Sequence, residues 1–284
     1  MSSNITRVGV VGCGLMGSGI AEVCAKAGLD VIVAESSEDL AAAGRKRIES
    51  SLRRAQEKGK IDNADEILAR ISVGTSLDSM ADREIVIEAI REDEAMKLAL
   101  FADLDRIVSS PDAILASNTS SIPISKLASA TKRPGHVLGV HFFNPVPVLS
   151  LVELIPSLLT EEATVDRARA FVEGQLGKFP ILAKDKAGFV VNALLIPYLI
   201  SAIRMFEAGV ATAEDIDAGM VRGAAHPMGP LALADLIGLD TTKAVADSMY
   251  EEYKEAFYAC PPLLARMVDA GLLGRKSGRG FYTY

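Results

Sequence analysis

Cysteine is scarce in this chain of 284 residues: Cys13, Cys24 and Cys260 are the only three, and they lie far apart. They are too few for a disulfide framework and show no paired metal-ligand spacing, so neither a stapled secreted fold nor a metal site is expected. A reducing cytoplasm fits this usage. Excess positive charge is also missing, since 37 acidic against 30 basic residues leave a net charge of −7. A field of that sign repels nucleic acid and anionic membranes, so neither is expected as a partner and any basic site must be local. No long apolar run is present. The longest, Ala193 to Ile203, is broken by Pro197 and Ser201 and falls short of the roughly 20 residues needed to cross a bilayer. It reads as a core or interface helix. The start, Met1 to Arg7, is polar and lacks the succession of a signal peptide, which argues against secretion. Internal repeats and low-complexity segments are absent as well.

What is present is enough to build a core: 49% of the residues are hydrophobic and 24% charged, in a chain long enough for one large domain or two ordinary ones. The first half alternates short β-branched runs with longer helical patterns, the signature of βαβ units and a parallel sheet covered on both faces. Strands are predicted near Arg7–Val11, Asp30–Ala34, Ile71–Val73, Ile85–Ala89 and Ile114–Ser117, with helices over Ser37–Lys60 and Glu92–Val108. A further strand, His136–Phe142, ends in the turn-rich Asn144-Pro145-Val146-Pro147, with Leu149–Ile155 as its hairpin partner and Phe179–Ala183 as a last strand. After Asp185-Lys186-Ala187-Gly188 no strand pattern remains. Phe189–Ala208, Thr212–Val221 and Leu239–Tyr258 read as helices, the second opened by a capped, acidic first turn. The expected architecture is α/β, with a Rossmann-type dinucleotide-binding domain over residues 1–186 and an all-helical C-terminal domain over 187–284.

Gly12-Cys13-Gly14-Leu15-Met16-Gly17 has the form G-x-G-x-x-G, directly after the apolar run Val8–Val11 and at the start of a helical pattern. That context asks for a tight turn at Gly12, close backbone approach to a pyrophosphate at Gly14, and close helix-to-strand packing at Gly17. Glu35 closes the second strand, at the distance where an acid meets the adenosine ribose. A carboxylate there accepts from both ribose hydroxyls and repels a 2′-phosphate, and no arginine immediately follows to receive one. NAD is therefore expected rather than NADP.

Substrate chemistry is expected from polar residues at later strand ends, facing the nicotinamide crevice. Ser117-Asn118-Thr119-Ser120-Ser121 follows the apolar Ile114-Leu115-Ala116, although taken alone it reads as an ordinary strand-to-helix loop. His141, in His141-Phe142-Phe143-Asn144-Pro145, is followed twelve residues later by Glu153, set among Leu151, Val152 and Leu154. If the prolines turn the chain back, the two fall opposite one another or one diagonal step apart. A histidine oriented by a carboxylate is a general base with its tautomer fixed, and a carboxylate among apolar residues would be costly without such a partner. Positive charge gathers on one predicted helix, at Arg45, Lys46, Arg47, Arg53, Arg54, Lys58 and Lys60, as a phosphate-rich ligand would require.

Ala116–Ser121, His141–Pro147, Gly188–Asn192, Pro227–Pro230 and Gly280–Tyr282 together resemble the L-3-hydroxyacyl-CoA dehydrogenase family, and the similarity runs over nearly the whole chain. The resemblance implies NAD-dependent interconversion of 3-hydroxyacyl- and 3-ketoacyl-CoA by His141 as general base and Glu153 as its orienting partner. Ser120 and Asn192 are implied near the reacting hydroxyl and thioester. Gly12, Gly14, Leu15, Met16, Gly17 and Glu35 form the cofactor loop and its acid; Glu92, Lys97, Asn144 and Lys276 match family positions around the cofactor, and Ser51 and Lys58 positions that contact CoA. Members of this length resemble short-chain enzymes such as 3-hydroxybutyryl-CoA dehydrogenases. The family's second domain dimerises, and the apolar helix Phe189–Ile203 makes a homodimer the expected state. Two other readings share the pattern. A dehydrogenase of free hydroxy or sugar acids would have the same fold and histidine, against which the basic helix and Ser51 speak for CoA. A non-catalytic, crystallin-like or NAD-sensing relative would not need His141, Glu153, Ser120 and Asn192 intact.

Overall fold

Strand β1, Arg7–Val11, lies inside an eight-stranded sheet because Val8, Val10 and Val11 leave no polar side chain to face water. The computed structural model describes residues 4–284, and the chain divides into two compact units, Met1–Asp185 and Lys186–Tyr284. In the first unit β1 is followed by helix α1 (Leu15–Lys26), β2 (Asp30–Ala34), α2 (Glu38–Glu57), α3 (Ala64–Leu68) and β3 (Ile71–Gly74). Then come β4 (Ile85–Glu88), α4 (Glu94–Ile107), β5 (Ile114–Ser117), α5 (Ile124–Ser129), β6 (Val137–Phe142), β7 (Leu151–Pro156), α6 (Glu162–Ala170) and β8 (Phe179–Leu182).

The strand order is β3-β2-β1-β4-β5-β6-β7-β8, parallel at every pairing except the antiparallel β6–β7. The chain winds outward from β1 in one direction and from β4 in the other, so the carboxyl ends of β1 and β4 flank a topological switch point where α/β sheets bind ligands. Strands β4, β5 and β6 are buried at every residue, as expected of parallel strands covered on both faces. Each Val or Ile so placed contributes about 1.5–3 kcal/mol relative to exposure.

The second unit consists of α7 (Val191–Glu207), α8 (Ala213–Gly223), α9 (Pro230–Ile237), α10 (Leu239–Tyr253) and α11 (Pro262–Asp269). Leu199, Ile203, Leu231, Leu239, Leu264 and Met267 form its main core. No helix among the described residues is long and apolar enough to cross a membrane.

Several boundaries differ from the sequence expectation. The helix read as Leu239–Tyr258 stops at Tyr253, where Lys254 turns left-handed at φ 54°. Phe189 at φ 46° delays α7 to Val191, and α2 ends at Glu57, leaving Lys58 at its C-cap and Lys60 beyond it. Helices α3, α5, α6, α9 and α11 were not anticipated. Two of them start on carboxylates distant in sequence: Asp185 accepts from the Ile124 and Ser125 N–H groups, and Asp217 from those of Leu231 and Ala232. Such caps satisfy orphan helix donors but leave no local signal.

Candidate active site

The loop after β1 turns at Gly12, whose φ of +94° suits glycine and whose missing Cβ would lie 2.7 Å from the Ala89 carbonyl oxygen. A Cβ at Gly17 would collide with the Gly12 carbonyl, so α1 can start this close to the strand only with glycine there. At Gly14 the space is open: a Cβ would meet nothing within 4 Å. Gly14 is also the N-cap of α1 and provides no side-chain acceptor, so the first N–H groups of Leu15 and Met16 face outward from a helix N-terminus. An exposed backbone, open space and a positive helix end make a cradle for a pyrophosphate.

Glu35 directly follows β2 and reaches across to this loop. Its Oε2 accepts from the Cys13 N–H at 2.7 Å, and its Oε1 from the Ser36 N–H at 2.7 Å and hydroxyl at 3.0 Å. Burial pushes its carboxyl up, but these hydrogen bonds and the charge of Arg47 outweigh it and hold the group below the usual carboxylate range. Arg47, on α2, donates to the Cys13 carbonyl at 2.8 Å. One of the basic residues read as a phosphate patch is thus spent on the cofactor loop. Arg53 pairs with Asp65, whereas Arg54, Lys58 and Lys60 are exposed. Burial pushes the Cys13 thiol up to about 11, so it stays protonated and unreactive at neutral pH.

His141 and Glu153 lie directly opposite one another in the β6–β7 ladder. The two residues are 4% and 0% exposed and their side chains meet at 2.7 Å, His141 Nδ1 to Glu153 Oε2. A carboxylate only accepts, so Nδ1 carries the proton and Nε2 presents its lone pair. Ser120 Oγ lies 3.1 Å from that Nε2, which assigns the serine as donor in this contact. The Phe143 ring packs edge-on at 4.6 Å and limits rotation of the imidazole. The arrangement is an oriented base with a hydroxyl-bearing group already seated on its basic nitrogen.

Lys97 is only 1% exposed and lies between two carboxylates, its Nζ 3.0 Å from Glu88 Oε1 and 2.7 Å from Glu92 Oε2. Glu88, at the end of β4, is fully buried; it also accepts from the Ser117 hydroxyl at 2.6 Å and the Ile90 N–H at 2.7 Å. Burial raises its carboxyl despite Lys97 and these donors. For Glu92 the order reverses: Lys97, Thr119 and Ser121 outweigh burial and hold it low. Glu88 escaped the sequence reading, although a carboxylate closing the all-apolar Ile85-Val86-Ile87 was a visible signal.

The remaining expected residues lie as follows. Asn144 is exposed before Pro145, across a cis peptide bond. Ser51 is half-buried on α2, two turns before the exposed Lys58. In the second unit Asn192 lies in the first turn of α7, and Lys276 pairs with Asp240 at 2.5 Å. Among the described residues no group of three or more His, Cys, Asp or Glu side chains could hold a metal.

Comparison with known proteins gives this geometry its context. Residues 7–186 match the family described as 3-hydroxyacyl-CoA dehydrogenase, NAD binding domain, and residues 188–284 match the 3-hydroxyacyl-CoA dehydrogenase C-terminal domain. The chain is 60% identical to a 3-hydroxybutyryl-CoA dehydrogenase of Mycobacterium tuberculosis, covering 100% of both. It is 42% identical to the human mitochondrial hydroxyacyl-coenzyme A dehydrogenase, covering 99% of this chain and 91% of that one. Among solved structures, FadB2 of Mycobacterium tuberculosis superposes with a TM-score of 0.98 at 60% identity, covering 99% of this chain and 100% of the other. The (S)-3-hydroxybutyryl-CoA dehydrogenase PaaH1 of Ralstonia eutropha gives 0.93 at 46%, covering 99% of each. With both halves matched and identity this high over the full length, the chain belongs to the 3-hydroxyacyl-CoA dehydrogenase family and is an NAD-dependent oxidoreductase of that family.

Proposed function

We propose that the protein interconverts short-chain (S)-3-hydroxyacyl-CoA and 3-ketoacyl-CoA, with 3-hydroxybutyryl-CoA and acetoacetyl-CoA as the pair, and that His141 is the general base. The observation that carries the reading is the chain of contacts Glu153–His141–Ser120, with 2.7 Å and 3.1 Å between successive polar atoms. The names of the relatives at 60% and 46% identity favour the four-carbon substrate.

Gly12, Gly14 and Gly17, the N-terminus of α1 and Glu35 fit an NAD molecule, which supplies the two-electron oxidant at C3 when bound. His141 Nε2 takes the proton of the 3-hydroxyl as the carbonyl forms and returns it in the opposite direction. Glu153 keeps Nδ1 protonated and balances the charge of the transient imidazolium in a site with little water to do so. Ser120 donates to the substrate oxygen from its position beside Nε2. Asn192 serves the thioester, a role that rests on the family resemblance, as do those of Asn144 and Lys276 at the cofactor. Ser51 and the exposed Lys58 serve CoA from α2 and its C-terminal end.

The experiment is NADH oxidation with acetoacetyl-CoA beside acetoacetate alone. Turnover of the thioester with at least a hundredfold lower kcat/KM for the free acid is expected, and equal efficiency would return the chain to the hydroxy-acid reading. In the same assay Lys58→Ala should raise KM for acetoacetyl-CoA more than it lowers kcat, and added salt should mimic it, because a lysine exposed in water acts through screened charge.

Glu35→Ala should lower kcat/KM for NADH by about 10–100-fold, the equivalent of a charged hydrogen bond worth about 1.5–3 kcal/mol. The gap to NADPH should narrow as the repulsion against a 2′-phosphate disappears. A parent protein that already prefers NADPH would show this assignment of Glu35 to be wrong.

A homodimer is proposed from the second unit, where Leu194 on α7, 73% exposed, lines an apolar cavity of about 590 Å³ together with Leu195, Tyr198, Pro227 and Met228. Light scattering should give twice the 30.1 kDa chain mass or a multiple, and a monomer at micromolar concentration would remove the proposal.

A further inference from the structure

Four of the five consecutive polar residues Ser117–Ser121 direct their side chains away from the His141 ring, to Glu88, Glu92 and backbone groups. Ser117 Oγ donates to Glu88 and accepts from the Thr119 N–H at 3.1 Å. Asn118 Oδ1 accepts from the Phe142 N–H at 2.8 Å, which carries the link between β5 and β6 past its last paired residues, Ser117 and Gly139. Thr119, 1% exposed, donates its hydroxyl to Glu92 and accepts from the N–H groups of Ser121 at 3.2 Å and Ile122 at 2.9 Å. Ser121 Oγ donates to the same Glu92 oxygen at 2.8 Å, and the Ser120 N–H reaches it at 3.2 Å. The fifth side chain, Ser120 Oγ, points the other way, to His141 Nε2.

We propose that Thr119, together with Asn118, is a positioning residue for proton transfer: the two hydrogen-bond anchors make the Ser120 loop and the end of β6 one rigid piece, holding Ser120 Oγ at His141 Nε2. The proposal rests on the reading of His141 as general base. One anchor runs from Thr119 through Glu92 and Lys97 to the buried Glu88 at the end of β4. The other runs from Asn118 to the backbone of the residue next to His141. The four small polar residues that follow β5 have no large apolar side chain to hold them, so these bonds decide where Ser120 sits. Thr119 is buried, so it acts on the reacting groups only through its neighbours.

The test compares Thr119→Val, which keeps the shape and removes the hydroxyl, with Thr119→Ser, which keeps the hydroxyl. Because a displacement of about 1 Å can cost on the order of 10²-fold, Thr119→Val should lower kcat by roughly 10–100-fold. The NADH Kd from fluorescence should stay within twofold of the parent, and Thr119→Ser should recover most of the rate. A second readout needs no cofactor: the chain has three histidines, so the ring ¹⁵N resonances are assignable, and Thr119→Val should shift Nε2 of His141 while leaving His136 and His226 in place. A folded Thr119→Val protein with kcat within twofold of the parent and an unmoved His141 resonance overturns the proposal. Should that variant fail to fold, Asn118→Ala, which removes the other anchor, carries the test, with a several-fold fall in kcat expected and an unchanged kcat overturning. Loss of activity in His141→Gln with full activity in Thr119→Val rejects this proposal alone, whereas an active His141→Gln rejects the general-base reading beneath it.

Discussion

His141→Gln is expected to lower kcat by about 10²–10⁴-fold, the usual contribution of a positioned general base, while NADH binding stays nearly intact. Glutamine keeps the size and polarity of the site but cannot accept and carry a proton at neutral pH. Glu153→Gln should cost nearly as much. Its amide can still reach His141 Nδ1 across 2.7 Å, but it has no charge to balance the imidazolium and can equally well present its NH₂, leaving the tautomer unfixed. Because the two residues act as a unit, the double variant should be little worse than the poorer single one, not the product of both losses. Steady-state rates together with an NADH titration check this. A folded His141→Gln protein with near-parental kcat would place the base elsewhere.

Lys97→Met is expected to destabilise the first unit by about 3–5 kcal/mol, the cost of removing one partner of a buried pair. For a unit of this size that corresponds to a fall in Tm of roughly 6–20 °C. Glu92 is 40% exposed along its side chain and can turn to water, but Glu88 is fully buried and cannot. The loss should therefore depend on pH. Burial already raises the Glu88 carboxyl above the ordinary range with Lys97 present, and removing the ammonium raises it further. A carboxyl with a folded pKa above its unfolded value, about 4.3, contributes stability below that value and loses it as pH rises through the folded pKa. The deficit against the parent should accordingly be small near pH 4 and larger at pH 8. Lys97→Met/Glu88→Gln should recover much of the loss, since glutamine can still accept from the Ile90 N–H without a stranded charge. Thermal melts at both pH values decide it, and an unchanged Tm for Lys97→Met at pH 8 would show that Glu88 is not held by Lys97.

Much of the sheet was legible because a parallel strand covered on both faces must be a short, continuous apolar run, and such runs stand out between amphipathic helices. The spacing of His141 and Glu153 was legible for a related reason: with a proline-rich turn between them, twelve residues bring the chain back to a facing position, and the ladder pairs the two directly. The short helices were not legible. Asp185 and Asp217, which cap α5 and α9, lie 61 and 14 residues from the N–H groups that donate to them, far beyond the three residues or so that a local capping pattern spans.

The sequence by itself determined the class of fold, the glycine turn with its acid at Glu35, and the family to which the chain belongs. These depend on residues close in sequence, where conformational preference and side-chain periodicity act directly. Only the tertiary structure decided what the polar loop and the buried charges do. Glu88, Glu92, Lys97 and Thr119 come from β4, the segment after it, α4 and the loop after β5, and they meet because parallel strands lie side by side. Read along the chain, Ser117–Ser121 is an ordinary string of hydrogen-bonding residues. In the fold, a buried carboxylate must find a partner, and satisfying Glu88 and Glu92 takes up the neighbouring side chains and leaves Ser120 facing His141.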